Sequence, residues 1–86
     1  MKSVAIEAES DGWRECVATS EWCEEAIRAY ERDQDGKRFK VTKYRQTPPA
    51  FDNEARPLPF MVRVETEGED AVRAPLLGSG YEGLFN

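Results

Sequence analysis

The chain has 86 residues, 40% hydrophobic and 34% charged, and its 17 acidic and 12 basic residues give a net charge of −5. A chain of this length forms one domain that buries roughly 60% of its unfolded surface, so it has one thin core and little room for a deep enclosed active site. It contains no histidine, which excludes the usual general base near neutral pH, the commonest metal ligand and the usual pH switch.

Residues 3–9, SVAIEAE, alternate apolar and polar side chains, the period of a half-buried strand. Asp11-Gly12 follows, a two-residue hairpin signal, because a type I′ turn needs positive φ at both central positions. Folding about it pairs Glu9 with Arg14 and Ile6 with Val17. The next stretch, TSEWCEEAIRAYERDQDG, carries Trp22, Cys23, Ala26, Ile27 and Tyr30 at helical spacing. Thr19 or Ser20 supplies a cap, Glu21, Glu24 and Glu25 favour the positive end of the dipole, and Gly36 supplies a stop. An amphipathic helix from about Ser20 to Asp33 is expected, with Trp22, Ala26, Ile27 and Tyr30 buried. On that expectation Ile27→Ala costs about 2–5 kcal/mol.

The segment KRFKVTKYRQT predicts a third strand, with Phe39 and Val41 on one face and Arg38, Lys40, Thr42 and Tyr44 on the other. Residues 47–59 hold four of the five prolines and read as an extended, partly polyproline connection. The segment PFMVRVETE predicts a fourth strand with Phe60, Val62 and Val64 inward, Gly68 a turn, and AVRA a short fifth strand stopped by Pro75. The expected architecture is α+β. It is an antiparallel sheet of four or five strands in β-β-α-β-β order, with the helix packed on one face. Residues 1–75 form this domain and 76–86 a glycine-rich apolar tail.

That tail spells G-x-G-x-x-G at Gly78, Gly80 and Gly83. A dinucleotide fingerprint must open a helix inside a βαβ unit, and three residues after Gly83 cannot make one, so no cofactor is expected. Leu76, Leu77, Tyr81, Leu84 and Phe85 instead suit a segment that folds back on the core or docks on another protein.

Cys16 and Cys23 lie seven residues apart. No export signal follows Met1-Lys2, so a reducing, cytoplasmic setting and free thiols are expected. Acidic neighbours and the missing histidine make Cys23 a half-buried core residue rather than a nucleophile, and no zinc set can be completed. The acids Glu67, Glu69 and Asp70 lack the spacing of a calcium loop, so no metal is expected. RPLPF, residues 56–60, lacks the second proline of an SH3 ligand at the required spacing.

Two surfaces remain as candidates for binding. Glu21, Glu24, Glu25, Glu31, Asp33 and Asp35 would line the exposed helix and its end, an acidic face for a basic partner. Residues 37–45 hold five of the twelve basic residues. There Arg38, Lys40, Lys43 and Arg45 would meet phosphates while Tyr44 stacks a base. In size, acidity, absence of catalytic groups and helix-on-sheet pattern, the chain is similar in type to small phage and mobile-element inhibitors of host defence complexes, anti-CRISPR proteins among them. That similarity covers no diagnostic motif and transfers no binding residue. The expectation is a non-enzymatic module that binds a basic surface on a host nucleic-acid-handling complex, with no membrane contact and no direct nucleic-acid binding. The alternative is a small nucleic-acid-binding domain using the basic strand. On the first reading, reversing Glu24, Glu25 and Glu31 to lysine slows association and leaves the fold intact.

Overall fold

The computed structural model describes residues 12–86. Strands run from Arg14–Cys16 (β1), Glu24–Gln34 (β2), Lys37–Gln46 (β3), Ala50–Phe51 (β4), Pro57–Leu58 (β5), Met61–Thr66 (β6) and Val72–Pro75 (β7). Five of them form one antiparallel sheet in the order β1-β2-β3-β6-β7, and β4 pairs with β5 in a separate two-stranded ladder. The helical element among the described residues is a four-residue 3-10 turn at Glu82–Phe85. The α+β expectation is therefore wrong, because the segment read as an amphipathic helix is the longest strand of the sheet.

Asp35-Gly36 explains the strand. Both residues have positive φ, 55° and 78°, which is the type I′ geometry that closes a two-residue hairpin. Gln34 faces Lys37 across it, and the β2–β3 ladder then runs back to Glu24 opposite Gln46. Gly36 thus reverses a strand where the sequence reading has it end a helix. Opposite charges face each other up this ladder, with Asp33 against Arg38, Glu31 against Lys40 and Glu25 against Arg45.

A register shift between Ala26 and Arg28 places Ile27 as the extra residue of a bulge. Ile27 is consequently 44% exposed and Trp22, in the turn before β2, is 92% exposed. The expected apolar stripe does not form, and Ile27→Ala should cost less than about 2–5 kcal/mol, the range expected for a well-buried isoleucine.

Strand alternation gives the sheet two unlike faces. Tyr30, Val41 and Val62 are buried on the first, where they cluster with Trp13, Leu84 and Phe85. The C-terminal turn folds back over this face and covers it, with Phe39, Val64, Ala74, Leu76 and Tyr81 around the cluster. The second face holds buried Ala29, Thr42, Tyr44 and Arg63. The first predicted hairpin lies largely outside the described residues. The residues expected for its second arm include β1, which pairs with β2 through Glu15 opposite Tyr30. The proline-rich connection contains the β4–β5 ladder, short enough for Pro57 to sit in it without costing a sheet hydrogen bond.

Candidate functional site

The register brings three loops to one end of the sheet. Glu24 stands opposite Gln46, and Met61 faces both Tyr44 and Pro75. Residues 17–23, 47–60 and 76–81 therefore leave from the same end. Hydrogen bonds tie them there: Thr47 N donates to Cys23 O at 2.8 Å and Leu76 N to Phe60 O at 3.1 Å. Each loop exposes a large apolar side chain, Trp22 at 92%, Phe51 at 60% and Leu77 at 80%. The opposite end carries the Asp35-Gly36 turn and the acidic turn around Glu67 and Glu69, where Lys37 Nζ meets Glu69 at 3.3 Å.

The six acids expected to form one binding face do not form one. Glu24 is buried with its side chain 1% exposed, and Arg63 Nη1 donates to its Oε2 at 2.6 Å. Arg73 Nη2 lies 2.9 Å from the other oxygen of Glu24, close in charge but not aligned as a hydrogen bond. Glu21 meets Arg63 at 3.1 Å and Arg73 at 2.9 Å. Glu31 and Asp33 both meet Arg14 and Arg38 between 3.5 and 3.8 Å. Glu25 lies 3.8 Å from Arg45, on the other face, and Asp35 sits in the far turn. Glu21, Glu24, Glu25, Glu31 and Asp33 thus each lie beside a cation of their own chain. Reversing Glu24 to lysine would set a cation against Arg63 in the interior, so the triple reversal expected to leave the fold intact should instead destabilise it.

The basic strand is divided in the same way. Arg38, Lys40 and Tyr44 point to the second face, Lys43 and Arg45 to the first. Tyr44 is fully buried, so it cannot stack a base. Burial first raises its pKa, with Glu24 adding to the rise and Arg73 opposing it. Lys43 Nζ and the Arg45 guanidinium lie over the Phe60 ring, at 4.3 and 5.5 Å from its centroid. Both thiols are free; Cys16 is half-buried, with a pKa raised mainly by burial, whereas Cys23 is exposed at a φ of 68°, not packed in the core.

Sequence reading misses the two carboxylates that shape the loop end. Asp52 accepts the backbone N–H groups of Glu54 at 2.8 Å and Arg56 at 2.9 Å, and the Arg56 Nε at 2.8 Å. These bonds, the Arg56 backbone first, hold its pKa below the ordinary value. An aspartate opening a tight turn was the available signal. Glu82 accepts the backbone N–H groups of Gly78 and, at 3.0 Å, of Gly80. Gly78 and Gly80 have φ of 88° and 90°, which lets the loop aim both amides inward as an anion nest. The glycine spacing thus cradles an anion after all, the carboxylate of its own chain.

Backbone N–H groups, Glu82's own first and then that of Gly78, lower the Glu82 pKa. A lowered pKa stabilises the fold fully above the unfolded value of 4.5, and that contribution is lost as pH falls through the folded value. The Gly78 and Gly80 amide resonances should therefore move together on acidification below pH 4.5. In Glu82→Gln they should not move. Identical titrations in both proteins would mean that the nest does not hold this carboxylate.

Among the described residues no group of three or more acidic, cysteine or histidine side chains is placed to hold a metal ion, and no helix is long and apolar enough to cross a membrane. Comparison with known protein families, curated proteins and solved structures finds nothing that matches the chain.

Proposed function

We propose that the protein is a non-enzymatic protein-binding module that grips its partner with the loop end of the sheet. Its partner is a basic surface on a nucleic-acid-handling complex, which the module inhibits as small phage and mobile-element proteins do. The observation that carries the reading is the exposure of Trp22, Phe51 and Leu77 on three loops gathered at one end. A tryptophan 92% exposed contributes nothing to its own core, whereas tryptophan leads the residues that dominate protein interfaces. The net charge of −5 draws the module toward a basic surface over a Debye length of about 8 Å at physiological salt. No observation favours the nucleic-acid alternative, since Tyr44 is buried and the basic residues of β3 divide between two faces.

The test is retention of a partner from lysate of the source cells by immobilised protein, with Trp22→Ser and Leu77→Ser alongside. Both substitutions fall on exposed side chains, so melting should change by no more than a surface effect, about 0.5 kcal/mol. The wild type should retain a stoichiometric partner, and Trp22→Ser should lose most of it. Equal retention by all three proteins, or none by the wild type, defeats the reading.

A further inference from the structure

The geometry points to the cleft between the β4–β5 hairpin and the C-terminal loop as the seat of an extended partner segment that presents an apolar side chain beside a basic one. This inference rests on the protein-binding reading and names the segment that the loop end accepts.

The cleft has a volume of about 510 Å³, inside the range of about 300–1,000 Å³ for ligand sites. Its wall runs from Pro57 through Phe60, and Leu76 and Leu77 close the other side. Leu77, 80% exposed, stands free for a contact. Pro57 and Pro59 have fixed φ, so the wall loses little freedom when it is covered. They also lack N–H groups. A segment lying there cannot add as a strand along this wall and must be held through its side chains, which calls for an apolar anchor.

The charge of the rim selects what flanks that anchor. Asp52, Arg56 and Glu82 border the cleft. Arg56 is committed to Asp52 at 2.8 Å and to Glu54 at 3.4 Å. Lys43 and Arg45 also stand over the Phe60 wall, Arg45 with Glu25 at 3.8 Å, so Asp52, Glu54, Glu82 and Glu25 outnumber the cations Arg56, Lys43 and Arg45 by one. The Glu82 carboxylate is held at the rim by the backbone N–H groups of Gly78 and Gly80 and keeps its negative charge there. An arginine or lysine beside the anchor fits this rim. A phosphate, nucleotide or acidic peptide meets net repulsion there.

The probes are short peptides alternating leucine with arginine, leucine with glutamate, or alanine with arginine. Methyl resonances of Leu58, Leu76 and Leu77 report occupancy. The leucine–arginine peptide should shift them saturably, and either replacement should weaken binding about tenfold or more. Leu77→Ser should weaken the leucine–arginine peptide, and Glu54→Lys should shrink the preference for arginine over glutamate. Equal binding of the arginine and glutamate peptides, saturable shifts confined to other residues, or no saturation with any peptide overturns the inference. An RNA oligonucleotide that shifts the same methyls more tightly than the peptide also overturns it. If the cleft fails while Trp22→Ser still abolishes partner retention, this inference falls alone. If the wild type retains no partner, the protein-binding reading falls instead.

Discussion

Arg63→Ala should lower stability by about 3–5 kcal/mol, the cost of breaking a buried ion pair by removing one partner. The Arg63 side chain is 2% exposed and that of Glu24 1%, so neither charge is solvated by water. Arg63 also donates to Thr19 O at 3.1 Å, which pins the loop that carries Trp22. Without the guanidinium, Glu24 keeps only the half-exposed Arg73 close by among the described residues. A domain this small holds about 5–15 kcal/mol in total, so the variant should show a large drop in urea midpoint at unchanged slope. Replacing both partners, Arg63→Met with Glu24→Leu, should recover much of the loss, because the isolated charge rather than the missing pair carries the cost. A single-variant loss below about 1 kcal/mol, within the usual range of surface pairs, would mean that water reaches this pair.

The same pair shows why β2 reads as a helix. A strand covered on one face alternates with period two, but β2 is covered on both: Ala29 and Tyr30 are consecutive and buried on opposite sides. The bulge at Ile27 then changes the parity, so Ala26 and Ala29 share a face three residues apart. Two-sided burial plus one extra residue imitates helical spacing. The competing signal is Asp35-Gly36, the same dipeptide type that is read as a hairpin signal at Asp11-Gly12. Folding about it would have paired Asp33 with Arg38 and Glu31 with Lys40, a match that helix reading cannot explain. Strands β3, β6 and β7 were legible because apolar and charged residues alternate in their sequences, no bulge shifts their mutual register, and Pro75 ends the last. Arg63 was a missed clue, a cation between Val62 and Val64 that a covered strand must neutralise. The loop end was not legible, since it depends on register, and register joins Trp22, Phe51 and Leu77 from distant parts of the chain.

Phe85→Ala should cost about 3–5 kcal/mol, the range for emptying a buried aromatic position. The ring is buried at 9% exposure and packs at 5.6 Å and 54° against Tyr30. Leu84 beside it joins Trp13, Tyr30, Val41 and Val62 in the same cluster. Because the C-terminal turn covers the apolar face of the sheet, losing its anchor exposes Tyr30 and Val41 as well as leaving a cavity. For a domain of this size the melting temperature should fall by about 12–40 °C. The value also decides what the C-terminal segment does. A large loss makes it the structural cover of the sheet, which holds Leu76 and Leu77 in place as one wall of the cleft. A loss below about 0.5 kcal/mol, the size of a surface effect, would mean that the turn leaves the sheet readily. Phe85 would then be an anchor for a partner, and the cleft would exist only while the turn is seated. Glu82→Gln combined with Phe85→Ala separates the two cases. If nest and ring hold one seated segment, their losses should be less than additive, because the first substitution already frees what the second would release.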